Sequence, residues 1–161
     1  MVSKMCVAAA NRIIEWTNNY NSSRGYEEQI VMTGKRLQKL LYFADVEYMK
    51  RYGESMFTDE FYAWPSGPVI PSVYYKFVQY QSGSMQPVGG EHTPLTKEME
   101  DVIDDILVRS RIYDTVDLVE FSHAEGGPWE QIFVDTEEGY ERIVPKDKIR
   151  EFYKKREIFA T

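Results

Sequence analysis

One cysteine, two histidines and no long apolar run are what this chain of 161 residues has least of. A single thiol, Cys6, leaves no partner for an internal disulfide and excludes the paired CxxC ligands of a zinc or redox site. That usage suits a reducing compartment. The apolar run Met5–Ala10 near the start is shorter than a signal-peptide core, and Asn11-Arg12 interrupts it. No stretch approaches the length of about 20 apolar residues that spans a bilayer. The expectation is a soluble, cytoplasmic protein without membrane association. Cations are the minority charge, 19 Lys and Arg against 26 Asp and Glu for a net −7. A duplex-binding domain carries a basic face, so this balance argues against nucleic acid as a partner.

Catalytic signatures are also missing. No GxxxxGK[ST], GxSxG or HExxH occurs, nor GxGxxG after a strand. The triplet His123–Glu125 resembles the first half of a zinc-deaminase signature, but the PCxxC half needs cysteines that the chain does not have. A two-histidine zinc site would need His92 to meet His123 with a carboxylate as third ligand, and nothing in the spacing fixes that geometry. The commoner fate of His123 is to donate to a backbone carbonyl or to stack on Trp129. Cys6 falls in an apolar helix stripe, the setting of an inert thiol. Neighbouring carboxylates such as Asp104-Asp105 diverge by about 100° on a helix and do not share a substrate. The residues therefore predict no catalytic group, no metal and no cofactor.

Aromatics are plentiful: they are 14% of the chain, with twelve tyrosines and three tryptophans. Such a chain is long and apolar enough to bury a core unaided. Most of these rings, Trp16 and Phe43 included, are expected inside it. Trp64 and Trp129 differ, because each neighbours a proline in an irregular segment. Tyrosine and tryptophan at element ends are the composition of interface anchors or of plugs at the core edge. The charge is uneven as well. From Glu91 to Glu141 fifteen acids face only Lys97, Arg109 and Arg111, whereas residues 1–53 hold eight bases and five acids. The acidic half reads either as solvated helix faces or as a landing surface for a basic protein.

Periodicity places the elements. A first helix covers 1 to about 20 and ends in NNYNSSRG. The next is TGKRLQKLLYFADVEYMKRYG, with Thr33 as N-cap, Gly53 as terminator, and Leu37, Leu40, Leu41, Ala44 and Tyr48 on one stripe. Lys35, Arg36 and Lys39 crowd the positive end of its dipole; pairing with Glu27, Glu28 or Asp45, or facing a partner, would relieve that. EFYAWPSGPVIPSVY (60–74) reads as a short strand, a tight turn at Gly67 and a new helix opening at Pro71. QSGSMQPVGG is the expected mobile loop. Further helices follow over 94–113 with Thr96 as N-cap, from Asp114 or Thr115, from Pro128, and over 145–159. YERIV (140–144) is a second strand that pairs with 60–64. The predicted class is mainly α, a single compact helical domain with a small two-stranded β element.

LQKLLYFADVEYM (37–49), FYAWPSGPVIPSVYYKF (61–77), FSHAEGGPW (121–129) and IVPKDKIREFY (143–153) follow one another in a familiar order. Together they resemble the Panacea domain, the SocA-like antitoxin family common in phages and mobile elements. The resemblance spans about 33–153 of one domain covering 1–161, and leaves an N-terminal helix and loop (1–32) to carry partner choice. The chain departs from the pattern at Pro65, and Glu125–Gly127 widen its His–Pro spacing. The resemblance implies a non-catalytic antitoxin of a toxin–antitoxin or prophage system. It would neutralise a cognate toxin by masking it or by delivering it to a host protease. Lys35, Lys39, Tyr42, Trp64, Tyr74, His123 and Trp129 are then the candidate partner contacts. Leu37, Leu40, Leu41, Gly67, Pro68, Val69, Pro71 and Pro128 are the structural motif. Competing readings are an acidic phage inhibitor of a host nuclease or other host protein, a metal-dependent hydrolase using His92 and His123, and a DNA-binding regulator resting on Lys35, Arg36 and Lys39.

Overall fold

A computed structural model describes residues 4–80, 85–89 and 93–160. The chain begins with α1 (Lys4–Asn21), a 3-10 turn at Tyr26–Glu28 and α2 (Gly34–Tyr52). Strands β1 (Phe61–Trp64) and β2 (Gly67–Val69) follow, then α3 (Pro71–Phe77). After the loop come α4 (Lys97–Ser110), α5 (Thr115–Ser122) and α6 (Pro128–Ile132). A 3-10 turn at Gly139–Glu141, β3 (Ile143–Val144) and α7 (Lys146–Tyr153) complete the order. The class is mainly α, as predicted.

The sheet has one strand more than the sequence reading assigned. Its order is β2-β1-β3, antiparallel throughout. The predicted pairing of 60–64 with YERIV is present, with Phe61 opposite Val144 and Tyr62 opposite Ile143. The added strand is β2, whose Gly67-Pro68 reads locally as a turn. Proline cannot donate to a ladder, but β2 lies at the sheet edge, where its missing N–H is not called on.

Helix α2 is the axis. It begins as predicted, with Thr33 Oγ1 accepting from Arg36 N at 3.1 Å, and ends at Gly53 in the left-handed region (φ 78°). Nearly every residue from Gly34 to Met49 is buried, because α1, α4, α5, α7 and the sheet all pack around it. From Arg36 to Met49 the helix is enclosed and has no solvent face on which to keep a cation. Arg36, 3% exposed, therefore donates to Tyr113 O (2.9 Å) and Ser110 O (3.2 Å). There it closes the C-terminal end of α4, where free carbonyls and the helix dipole both favour a cation. The carboxylate pairing expected for these cations is not how they are satisfied: Arg36 and Lys39 both turn to main-chain carbonyls.

Asp45, fully buried on α2, accepts from Ser55 Oγ (2.7 Å) and Met56 N (2.6 Å), with Lys146 Nζ at 3.9 Å. Lys146 also donates to Ser55 Oγ and Phe57 O, so one ionic cluster ties α2, the loop after it and the start of α7. Burial, opposed by Lys146 and these hydrogen bonds, raises the Asp45 carboxyl to about 6.

The acids of α4 in this half are tied to the chain's own cations. Arg12 of α1 forks onto Asp104 (2.9 and 2.7 Å) and reaches Glu100 (2.8 Å). Asp105 meets Arg51 and Arg109, and Asp101 meets Lys97. Helix α4 is thus tied across to α1 and α2 rather than offered as an open acidic field. The described part of the predicted mobile loop is also anchored. Asn11 exchanges two hydrogen bonds with the backbone of Val88, and Asn18 donates to Met85 O at 3.1 Å. No described helix is long and apolar enough to cross a membrane.

Candidate functional site

The motif segments converge on the hairpin of β1 and β2. Strand β1 alternates: Phe61 and Ala63 point into the core with no exposed surface, and Tyr62 and Trp64 face outward, half-buried. Pro65 and Ser66 turn the chain, and Gly67 pairs back opposite Trp64. Gly67 has φ +112°, which side chains rarely adopt, and a Cβ there would lie 2.4 Å from Ser122 Oγ and 2.9 Å from Lys39 Nζ. The close approach of α2, α5 and the hairpin at this point admits glycine alone.

Two neighbouring residues of α2 hold the hairpin. Lys39 Nζ donates to Pro68 O, and Gln38 Oε1 accepts from Ile70 N at 2.8 Å. The sheet edge next to a proline and the first turn of α3 are thereby paired instead of left bare. Behind β1, Trp129 Nε1 donates to Trp64 O at 2.8 Å. The Trp129 ring is sandwiched by His123 (centroids 3.6 Å apart, 3° between planes) and Phe133 (4.6 Å, 17°). The stacking expected for His123 is present, while its Nε2 has no hydrogen-bond partner among the described residues. Burial, then the nearby charge of Lys39, lowers the imidazole to about 4, which keeps it neutral in ordinary buffers. Burial, then Lys35, draws the Lys39 ammonium well below the usual lysine range.

The structure sorts the candidate contacts by depth. Lys39 and Tyr42 have no exposed surface, and Trp129 is 8% exposed. Tyr42 packs edge-on against Phe43 and Phe61 at 5.3 and 5.2 Å. Lys35 is exposed, whereas Trp64, Tyr74 and His123 are half-buried. Of the structural motif, Leu37, Leu40 and Leu41 are core, Gly67, Pro68 and Val69 form buried β2, and Pro71 and Pro128 open α3 and α6. Ser122 Oγ donates to Val119 O at 2.7 Å, and neither it nor Lys39 lines the clefts beside the hairpin. In this arrangement Lys39, Ser122 and His123 support the hairpin from within. Among the described residues no group of three His, Cys, Asp or Glu is placed to hold a metal, and His92 lies outside them. Cys6 is fully buried, and burial together with Asp59, whose carboxylate it faces at 3.4 Å, drives its pKa far up.

What the hairpin presents outward is an aromatic ridge. Trp64 meets Tyr74 at 5.3 Å and Tyr75 at 6.1 Å, and the two tyrosines meet at 5.4 Å, all edge to face. Tyr75 is 65% exposed. Trp64 divides two clefts. The smaller, about 470 Å³, lies over the start of α2 between Lys35, Ser66 and Tyr74. The larger, about 790 Å³, lies between the outer face of β1, the start of α3 and the turn at Tyr140-Glu141. Sequence reasoning found Trp64 and Tyr74 but missed Tyr75 and the partners from the far end of the chain. Tyr75 follows Tyr74 in sequence, yet only the helix phase set by Pro71 shows which ring faces out.

The model of the family described as "Antitoxin SocA-like, Panacea domain" matches residues 37–130. Antitoxin SocA of Caulobacter vibrioides (strain NA1000 / CB15N) is 31% identical over 114 residues, which cover 64% of this chain. The match spans 61% of the length of that curated relative. No solved structure matches.

Proposed function

The chain belongs to the SocA-like Panacea antitoxin family, and on that premise we propose that it is a non-catalytic module that neutralises a cognate toxin by binding it directly. The observation that carries the reading is where the family's motif residues go. Gln38, Lys39, Gly67, Pro68 and Trp129 are spent, inside the molecule, on fixing the backbone that presents Trp64, Tyr74 and Tyr75. An ordered aromatic ridge suits binding, because large rings contribute contact area at small cost in side-chain entropy. In this reading Trp64 and Tyr74 contact the toxin and Lys35 contributes at the rim. Lys39, Tyr42, His123 and Trp129 act from behind, by position. Masking the toxin and carrying it to a protease are both open to such a surface.

Co-expression with the product of the neighbouring reading frame tests the proposal. A growth-arresting neighbour whose toxicity is relieved, and which co-purifies in fixed stoichiometry, supports it. Relief that is lost in Trp64→Ala with the fold intact ties it to the ridge. A neighbour that is harmless, or that never co-purifies, overturns it.

A further inference from the structure

We propose that the larger cleft binds an arginine-bearing extended segment of the partner protein; this rests on the antitoxin reading for the partner's identity but not for the chemistry. Its walls are aromatic, with Tyr62, Trp64, Tyr75 and Tyr140 around about 790 Å³. Asp59, Glu60 and Glu141 also line it, and among the described residues no lysine or arginine does. On α4, by contrast, Asp101, Asp104 and Asp105 are paired with cations of the chain. Glu60 and Glu141, both exposed, have no cation of the chain beside them among the described residues. Tyr140 brings one more acid close, its hydroxyl donating to Asp135 at 2.5 Å.

A guanidinium suits this combination better than any other side chain. It stacks on aromatic faces, it forks onto carboxylates, and it is weakly hydrated and so cheap to bring into an apolar cleft. The volume exceeds what one side chain fills and matches a few residues of extended chain. Both walls are already fixed. Ala63 N donates to Arg142 O at 2.9 Å, and the Trp64 carbonyl is held by Trp129. The turn that carries Tyr140 and Glu141 depends on Gly139, where a Cβ would come within 2.0 Å of Val134 O. Little order remains to be imposed when the segment arrives, which favours affinity.

Two measurements on the full-length protein test this. In the first, backbone amide shifts are followed while a capped Leu-Arg-Leu-Arg peptide is added, with the citrulline analogue, the Glu analogue and spermine as separate additions. Shifts confined to 59–65, 70–75 and 139–143 with the arginine peptide alone support the proposal. Equal shifts with spermine would show that any polyamine suffices and would overturn the peptide assignment; no shift at these residues would overturn the cleft. In the second, the toxin complex is measured for Glu60→Gln/Glu141→Gln and Tyr75→Ala, all exposed positions that leave the core untouched. The expected loss for the charge pair is about tenfold at low salt and less at high salt, as solvent-accessible charges at the rim of an interface require. A complex that forms but ignores these variants removes the cleft and spares the antitoxin reading. Peptide binding without any toxin complex removes the antitoxin reading and spares the cleft.

Discussion

Replacing Gly67 with alanine tests the packing behind the ridge in the most direct way. A Cβ at this residue meets Ser122 Oγ at 2.4 Å and Lys39 Nζ at 2.9 Å, on a backbone with φ +112°. A residue with a side chain at such a dihedral costs about 1–3 kcal/mol. Forcing a methyl group into filled space costs about 1–3 kcal/mol more. Neither Ser122 nor Lys39 can swing away freely, because each is bonded to a main-chain carbonyl and buried. The sum is about 4 kcal/mol, and at about 2–4 °C per kcal/mol for a chain of this size the midpoint falls by roughly 8–16 °C. Thermal unfolding followed by circular dichroism at low protein concentration reads this. The double variant Gly67→Ala/Ser122→Ala removes the nearest atom and leaves the dihedral strain. It should therefore recover about 1–2 kcal/mol of the loss, the overpacking share. A single variant melting within about 2 °C of wild type, or a double variant melting below the single one, would refute the close-packing account.

Three further outcomes follow from described geometry. Asp45 titrates near 6 when folded and near 3.8 when unfolded, so its folded state holds the proton more tightly, and stability falls as pH rises through that window. Asp45→Asn should gain on wild type by about 2–3 kcal/mol between pH 4 and pH 7 in urea titrations; parallel curves would count against a buried carboxylate. His123 runs the opposite way: lowered to about 4 from 6.5, it is bound to lose stability as pH falls below 6.5. His123→Phe, which keeps the stack on Trp129, should remove about 1–3 kcal/mol of that acid sensitivity, allowing for its partial exposure, and an unchanged acid limb contradicts the assignment. Since the two groups pull against each other over nearly the same pH range, the wild-type curve there is flatter than either single variant's. Finally, Gly139→Ala places a methyl 2.0 Å from Val134 O and should cost several degrees of midpoint, whereas Gly25→Ala meets nothing within 4 Å and should be neutral.

How much of this was legible in the chain depended on how local each cause is. Thr33, Gly53 and Thr96 act within one helical turn, and all three cap where their patterns say. The pairing of β1 with β3 was readable because both segments carry strand-forming residues. Strand β2 was not, since Gly-Pro announces a turn, and only its edge position and the lysine facing its carbonyl make it a strand. The cations of α2 were legible as an anomaly but not as a solution. Their acceptors, Pro68, Ser110 and Tyr113, lie 29 to 77 residues away, and main-chain carbonyls leave no mark in a sequence. Trp64 and Tyr74 stood out by composition; the cleft between β1 and Tyr140-Glu141 did not, because its walls meet only through the β1–β3 pairing.

The alternation along β1 has a consequence for how this protein tolerates change in length as opposed to identity. Phe61 and Ala63 belong to the interior, Tyr62 and Trp64 to the exterior, and four residues of one strand therefore serve both. Substituting any one of them injures one side only. Losing or gaining a single residue within 61–64 exchanges the two sides at once, because side chains alternate with a period of two. The phenylalanine of the core would then be offered to solvent, while the indole of the ridge would be driven among α2 and α7. Such a chain would be expected to accumulate as insoluble material, whatever its partner. Length variants confined to the strand should therefore fail as a class, while insertions in the turns on either side leave room for survivors.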